Sequence, residues 1–208
     1  MPAKVWYAMI GFFVMGAVAS GNPMPVTDDL WDVSRGTTVT SSALYPGFDA
    51  RDAFGGCNSS EPCVTIFSDG LPQGSVHTLL WTTVQPVTIL GFNLFVSGDE
   101  PIDPNNPLRR SIDHVTVWAG GNIIYDADVT DPPGAWVALV VHLSSPVTAQ
   151  QFRADFRQAA TQLPPLGVND YTGPRVIELD ATIPEPATIT LIGLGICALI
   201  CGFRRRAK

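Results

Sequence analysis

Residues Gln151 to Gln158 place Phe152, Ala154 and Phe156 on one parity and Arg153, Asp155 and Arg157 on the other. A period of two sends alternate side chains to opposite faces of a pleated strand, so this octet predicts a strand with one buried and one wet face. The same alternation argues against a helix over Ala149 to Ala160. Comparable short segments, rich in β-branched and aromatic residues, are Val87 to Ser97, His114 to Ala119, Asn122 to Ala127, Trp136 to Leu143 and Val176 to Ala181. Turn-forming clusters punctuate them at 98–101, 120–122, 131–134 and 163–165. Many short strands separated in this way predict an all-β antiparallel sandwich or barrel. Trp81, Trp118 and Trp136 fall inside strands and are expected in its core.

Both ends stand apart from this pattern. Residues 1–19 carry one cation, Lys4, then an apolar run from Val5 to Val18 that closes on Ala17-Val18-Ala19. A short apolar run ending in small residues predicts a cleaved signal peptide. At the other end Pro184-Glu185-Pro186 precedes an uncharged run from Ala187 to Phe203, then Arg204, Arg205, Arg206 and Lys208. That run meets the short limit for crossing a hydrocarbon core of about 30 Å, and the basic block beyond it should stay cytoplasmic. The expected organisation is a signal peptide over 1–19, an exported β-sandwich over 20–183 and a membrane tail over 184–208 with its transmembrane helix at 187–203.

Pro-Glu-Pro, an apolar span and an Arg cluster in this order resemble the PEP-CTERM sorting tail of Gram-negative bacteria. The resemblance implies that exosortase, a membrane transpeptidase-like enzyme associated with exopolysaccharide-producing envelopes, reads Pro184, Glu185 and Pro186 and removes the span. With signal peptidase acting at the other end, the domain would be held first in the periplasm and then reach the cell surface or extracellular matrix.

The chain has 12 Lys and Arg against 19 Asp and Glu, but five of those cations and only Glu185 among the anions lie in the tails. The middle keeps seven cations, all Arg, against 18 anions, a net charge of −11. Such a domain repels phosphate backbones, which argues against a nucleic-acid partner. Cys197 and Cys201 belong to the span. Cys57 and Cys63 lie close together in a loop, and in an oxidising compartment a disulfide between them is favoured over free thiols or a zinc pair, which lacks a second pair of ligands.

A second resemblance rests on order. Trp31-Asp32-Val33-Ser34-Arg35-Gly36 leads to Thr38-Val39-Thr40-Ser41-Ser42, then to Ala50-Arg51-Asp52-Ala53-Phe54-Gly55-Gly56, Ser68-Asp69-Gly70 and Arg175-Val176-Ile177-Glu178-Leu179. Taken together these are similar to the discoidin-like, galactose-binding-like jelly rolls. That resemblance implies glycan or lipid binding through loops at one end of the sandwich and allows a structural Ca²⁺. Where the family's turn has Asp before Gly, this chain has Gly55, so Glu178 with Asp49 or Asp52 would have to supply the ligands.

Candidate chemistry is sparse. His77, His114 and His142 are far apart, and the sequence has no metal-protease, nucleophile-elbow or phosphate-loop motif. No two carboxylates stand out as a catalytic pair, so no enzyme is expected. For binding, aromatic rings beside polar groups suit sugars, whose C–H faces stack while hydroxyls take hydrogen bonds. Tyr45 and Phe48, in Leu44-Tyr45-Pro46-Gly47-Phe48-Asp49, are the first candidates and Tyr171 the next. The expected function is a non-enzymatic, glycan-associated or adhesive envelope module with exopolysaccharide as partner; the competing reading is a structural matrix protein without a ligand site. In an exosortase-containing host, Glu185→Ala should leave the protein full-length and membrane-bound on a blot of fractionated cells. Processing at the normal rate would refute the sorting reading.

Overall fold

The computed structural model describes residues 29–56, 64–72, 74–97, 110–129, 136–159 and 172–182. The expected signal peptide, Cys57, Cys63, Tyr171, and the sorting motif with its span and basic end lie outside the described residues. Seven strands run in chain order: β1 (Thr38–Ser41), β2 (Thr65–Ile66), β3 (Val76–Ser97), β4 (Ile112–Ala119), β5 (Asn122–Asp128), β6 (Trp136–Gln158) and β7 (Arg175–Thr182). All pairings are antiparallel. Two short 3-10 turns, Val33–Arg35 and Ala50–Phe54, complete the regular structure of these residues.

Two very long strands organise the sheet. β3 and β6 pair along both of their halves, from Val76 opposite Arg157 to Ser97 opposite Trp136. The first half of β3 and the second half of β6 lie in a layer with β1, β4 and β5. The other halves lie in a layer with β7 and β2. The register breaks between Thr82 and Val87 and again between Ile89 and Gly91. Bulges of this kind bend a strand sharply, so one ribbon serves both layers. Pro86, with no N–H to give a ladder, falls within the first break. Gln150 donates through its side-chain amide to the carbonyls of Thr83 and Val84, at 3.0 and 3.2 Å, satisfying backbone that the ladder has abandoned. At Gly91 any Cβ would run into the carbonyl oxygen of Val141, so the second break requires glycine.

The segments Trp136 to Leu143 and Gln151 to Gln158, expected as two strands, belong to one strand, β6. The pairing of Val147, Thr148 and Ala149 with β3 carries the strand through. β1 and β2 were not anticipated as strands, being four and two residues long.

Between the layers sits an aromatic core. Trp31, Trp81, Phe54, Phe92 and Phe152 are all buried, with Trp31 edge-on to Trp81 at 4.9 Å and Trp81 stacked on Phe152 at 5.7 Å. Tyr125 meets Phe92 edge-on at 5.5 Å, linking β5 to the opposite layer. Each such ring stabilises the fold by roughly 1.5–3 kcal/mol through burial alone. The Trp81 expectation holds. Trp118 does not join this core: Val117 and Ala119 point inward, so period two turns Trp118 to the outer face, where it is half-buried. The side chain of Trp136 lies outside the described residues.

Candidate functional site

The loop after β1 is tied down by its backbone. Ala43 accepts from the N–H of Ser68 (3.0 Å), Tyr45 donates to the Ile66 carbonyl (2.9 Å), and Phe48 closes a turn onto the Tyr45 carbonyl (3.2 Å). Pro46 and Gly47 occupy the centre of that turn, where a fixed φ and a left-handed φ are favoured. The Tyr45 ring is 41% exposed and lies 6.1 Å from the ring of Phe48, which is half-buried.

Arg110 holds Tyr45 from beneath. Its guanidinium carbon sits 5.1 Å from the centre of the Tyr45 ring, a cation–π distance. The same guanidinium donates twice to Asp69, at 2.6 and 3.0 Å, and once to the Gly173 carbonyl at 3.2 Å. Its backbone N–H donates to Thr172 Oγ1 and its carbonyl accepts from Arg175. Arg110 has φ +67°, the left-handed region that a non-glycine residue enters at a cost of about 1–2 kcal/mol. Five hydrogen bonds hold it there. Four segments thus meet at one end of the sandwich: the Tyr45 loop, the Asp69 turn, Arg110 and the approach to β7. Tyr171, outside the described residues, immediately precedes Thr172 in the chain.

At the far end of β7 lies another buried group. Asp29 accepts through Oδ1 from the N–H groups of Trp31 (3.0 Å) and Ala181 (2.7 Å), fastening the start of the described chain to its last strand. Burial pushes its pKa up to about 6, with the two N–H donors opposing and the charges of Asp32 and Glu178 adding to the rise. Glu178 is half-buried, and desolvation raises its pKa against a hydrogen bond with Asp180.

The residues expected to hold calcium lie on two elements in contact, the second 3-10 turn and β7. The Asp49 carboxylate caps the second 3-10 turn by accepting from the Arg51 N–H at 2.9 Å, Asp52 belongs to that turn, and Glu178 is on β7. Burial raises the Asp52 pKa. Ca²⁺ takes six to eight oxygens, roughly, in one sphere. Among the described residues no three His, Cys, Asp or Glu side chains are grouped to hold a metal ion. Gly55 stands where the discoidin-like pattern has Asp. Its φ is +69°, and a Cβ there would lie 2.5 Å from Asp32 Oδ2.

The histidines stay separate. His77 is buried, hydrogen-bonded to Gln158 at 2.9 Å, with its pKa lowered by burial. His114 lies between Asp128 (2.8 Å) and Asp126 (2.9 Å), whose hydrogen bonds raise its pKa. His142 is exposed on β6. Sequence reasoning identified the Tyr45 loop but missed Arg110 and Asp29. Ser68-Asp69-Gly70 marked one turn of the site, whereas nothing local to Arg110 signals a left-handed backbone.

With this geometry in place, known proteins supply the class. The chain carries a PEP-CTERM protein-sorting motif at residues 182–206, which marks an exported protein with a membrane-anchored sorting signal and implies processing by exosortase. Its fold is similar to the family 32 carbohydrate-binding module of Streptococcus pneumoniae EndoD, with a TM-score of 0.54 and 13% identity over 76% of this chain and 100% of that one. It is also similar to a Ruminococcus gnavus GH29 fucosidase, solved as a D221A mutant with fucose, with a TM-score of 0.51 and 13% identity over 77% of this chain and 28% of the enzyme. The fold is that of the galactose-binding-like, discoidin-like sandwiches. No curated protein matches the sequence.

The Asp29 environment sets a pH dependence. Unfolded, its carboxyl titrates near 4; folded, it holds its proton up to about 6. Its contribution to stability is therefore full below about pH 4 and is lost as pH rises through 6. Asp29→Asn keeps an oxygen for both N–H donors and removes the charge. Its melting temperature relative to wild type should rise by several degrees between pH 4 and pH 7.5, corresponding to up to about 3 kcal/mol. Parallel melting curves against pH would contradict the assignment.

Proposed function

We propose that this chain is an exported, non-enzymatic glycan-associated module whose sugar-contacting end is built on Tyr45 and Phe48, with Tyr171, which precedes Thr172 in the chain, as a further candidate. One observation carries the reading: a fixed, exposed tyrosine ring at the end of the sandwich opposite the exit to the sorting motif. β7 starts at Arg175, beside Arg110, and ends at Thr182, where the motif begins. Its seven steps span about 23 Å. Anchored by its tail, the domain would direct the Tyr45 loop away from the membrane and toward whatever surrounds the cell, exopolysaccharide included.

The site is preorganised. The backbone bonds at Ala43, Tyr45 and Phe48 and the cation–π contact with Arg110 hold the ring before any ligand arrives, which reduces the ordering cost of binding. One aromatic contact contributes about 1 kcal/mol beyond area burial, so a single sugar would bind at around millimolar strength. Many copies displayed on one membrane would multiply that through effective concentration. Carbohydrate binding by the S. pneumoniae module, named for it, supports the class of ligand without specifying the sugar.

A structural matrix protein without a ligand site is the second reading. What favours it is the contact between the Tyr45 and Phe48 rings themselves, since Phe48 is half-buried against its neighbour. The two separate in one experiment on the full chain in detergent. Tyr45→Ala combined with Phe48→Ala should lower retention on immobilised monosaccharides from the cell's own polysaccharide at least tenfold while shifting the melting temperature by less than about 3 °C, under 1 kcal/mol for a domain of this size. A large fall in melting temperature, or unchanged retention, would favour the structural reading.

A further inference from the structure

The outer face of the five-stranded layer carries a second feature. Thr40, Leu80, Arg153, Trp118 and Ile123 stand opposite one another in register across β1, β3, β6, β4 and β5. At a strand spacing of about 4.8 Å this row is about 19 Å long. Leu80 is 45% exposed and Ile123 is 59% exposed, with half-buried Trp118 between them in the row. A bulge between Val117 and Trp118 shifts the register at this point, and an indentation of about 300 Å³ opens beside the indole, edged by Leu80, Gly121, Gln151 and Arg153.

Arg153 gives the row its polar component. Its guanidinium lies 4.7 Å from the Trp118 ring centre and is held flat by Asp155, through Nε at 2.8 Å and Nη2 at 2.6 Å. Thr78 donates to the same carboxylate at 2.7 Å. Nη1 has no hydrogen-bond partner among the described residues and belongs to a side chain 47% exposed. The next row on one side holds Thr82 and exposed Gln151; on the other it holds Thr78, Asp155, Thr116 and Asp126. A cross-strand Trp–Arg pair alone would stabilise a sheet. It does not account for two large aliphatic side chains left in water in the same row, flanked by hydroxyls and amides.

We propose that this row is a binding platform for an extended, uncharged polysaccharide chain, distinct from the Tyr45 end. Sugar C–H faces would rest on Leu80, the indole and Ile123, and hydroxyls would take Arg153 Nη1 and the Gln151 amide. Charge selects the class. Arg153 is neutralised by Asp155, Arg157 by Asp113 and Asp128, and His114 by Asp126 and Asp128. An anionic ligand would find no unspent cation on this face, which carries four carboxylates against two Arg and His114. A flat row of this length fits internal residues of a chain, whereas the compact Tyr45 loop fits one terminal sugar.

The inference extends the glycan reading, and its test separates the two. Full chain in detergent is measured for depletion from solution by insoluble cellulose and β-1,3-glucan and, separately, for binding of methyl galactoside and fucose. The wild type should be depleted by at least one of the two polymers. Trp118→Ala and, independently, the exposed Leu80→Glu should weaken that depletion at least tenfold and leave any monosaccharide binding unchanged. Tyr45→Ala with Phe48→Ala should affect the monosaccharides and leave polymer depletion within about twofold. Polymer depletion unaltered in both platform variants overturns the platform while leaving the loop reading intact, as does loss of polymer binding in the loop variant alone. No depletion of the wild type by either polymer overturns it as well. So does conversion of a wild-type dimer to a monomer by Trp118→Ala, which would make the row a contact between copies. Leu80→Glu, on an exposed position, keeps the test valid should Trp118→Ala fail to fold.

Discussion

Everything else in this domain hangs on the ribbon formed by β3 and β6. Two strands of 22 and 23 residues stay paired through a bend, so the two layers of the sandwich are continuous halves of one structure. Three residues mark the bend: Pro86, which has no N–H to give, Gly91 against the Val141 carbonyl, and Gln150 reaching back to Thr83 and Val84. Folding the ribbon brings Trp81 and Phe152 of one layer over Phe92 of the other. Trp31 then fills the gap from outside the sheet. Its removal would cost about 3–5 kcal/mol, a third or more of the stability of a typical domain.

The ribbon also fixes where function can sit. β7 pairs with the second half of β3 from Gly91 to Val96, so its two ends lie at opposite ends of that layer. One receives Arg110, Asp69 and the Tyr45 loop; the other receives Asp29 and leads into the sorting motif. The strained backbone of Arg110 is supported at the first end. The buried carboxylate of Asp29 is tolerated at the second. Both are local costs, and both lie where a segment outside the sheet is fastened to it.

Much of the fold was legible because its signal is periodic. Alternation in 151–158 gave a strand, its buried parity and the polar outer face that the structure shows, with Phe152, Ala154 and Phe156 buried. What was not legible depends on pairing across long sequence distances. Residues 136–143 and 151–158 read as separate strands unless one knows that β3 runs alongside both. Trp118 reads as core because large aromatics are usually buried, yet the register opposite Arg153 turns it outward. For the site, Tyr45 and Phe48 stood out by composition, while Arg110 acquires its role only from Asp69, Thr172 and Gly173, between 41 and 63 residues away.

The central claim is the proposed one, that glycan is met by the end of the sandwich opposite Thr182, where the sorting motif begins. Amide hydrogen exchange of the full chain in detergent, with and without the cell's own polysaccharide, tests it most directly. The account predicts slowed exchange in residues 43–48 and 67–72, with 87–91 and 179–182 unchanged. Protection confined to 87–91 and 179–182, or no protection anywhere, would contradict it.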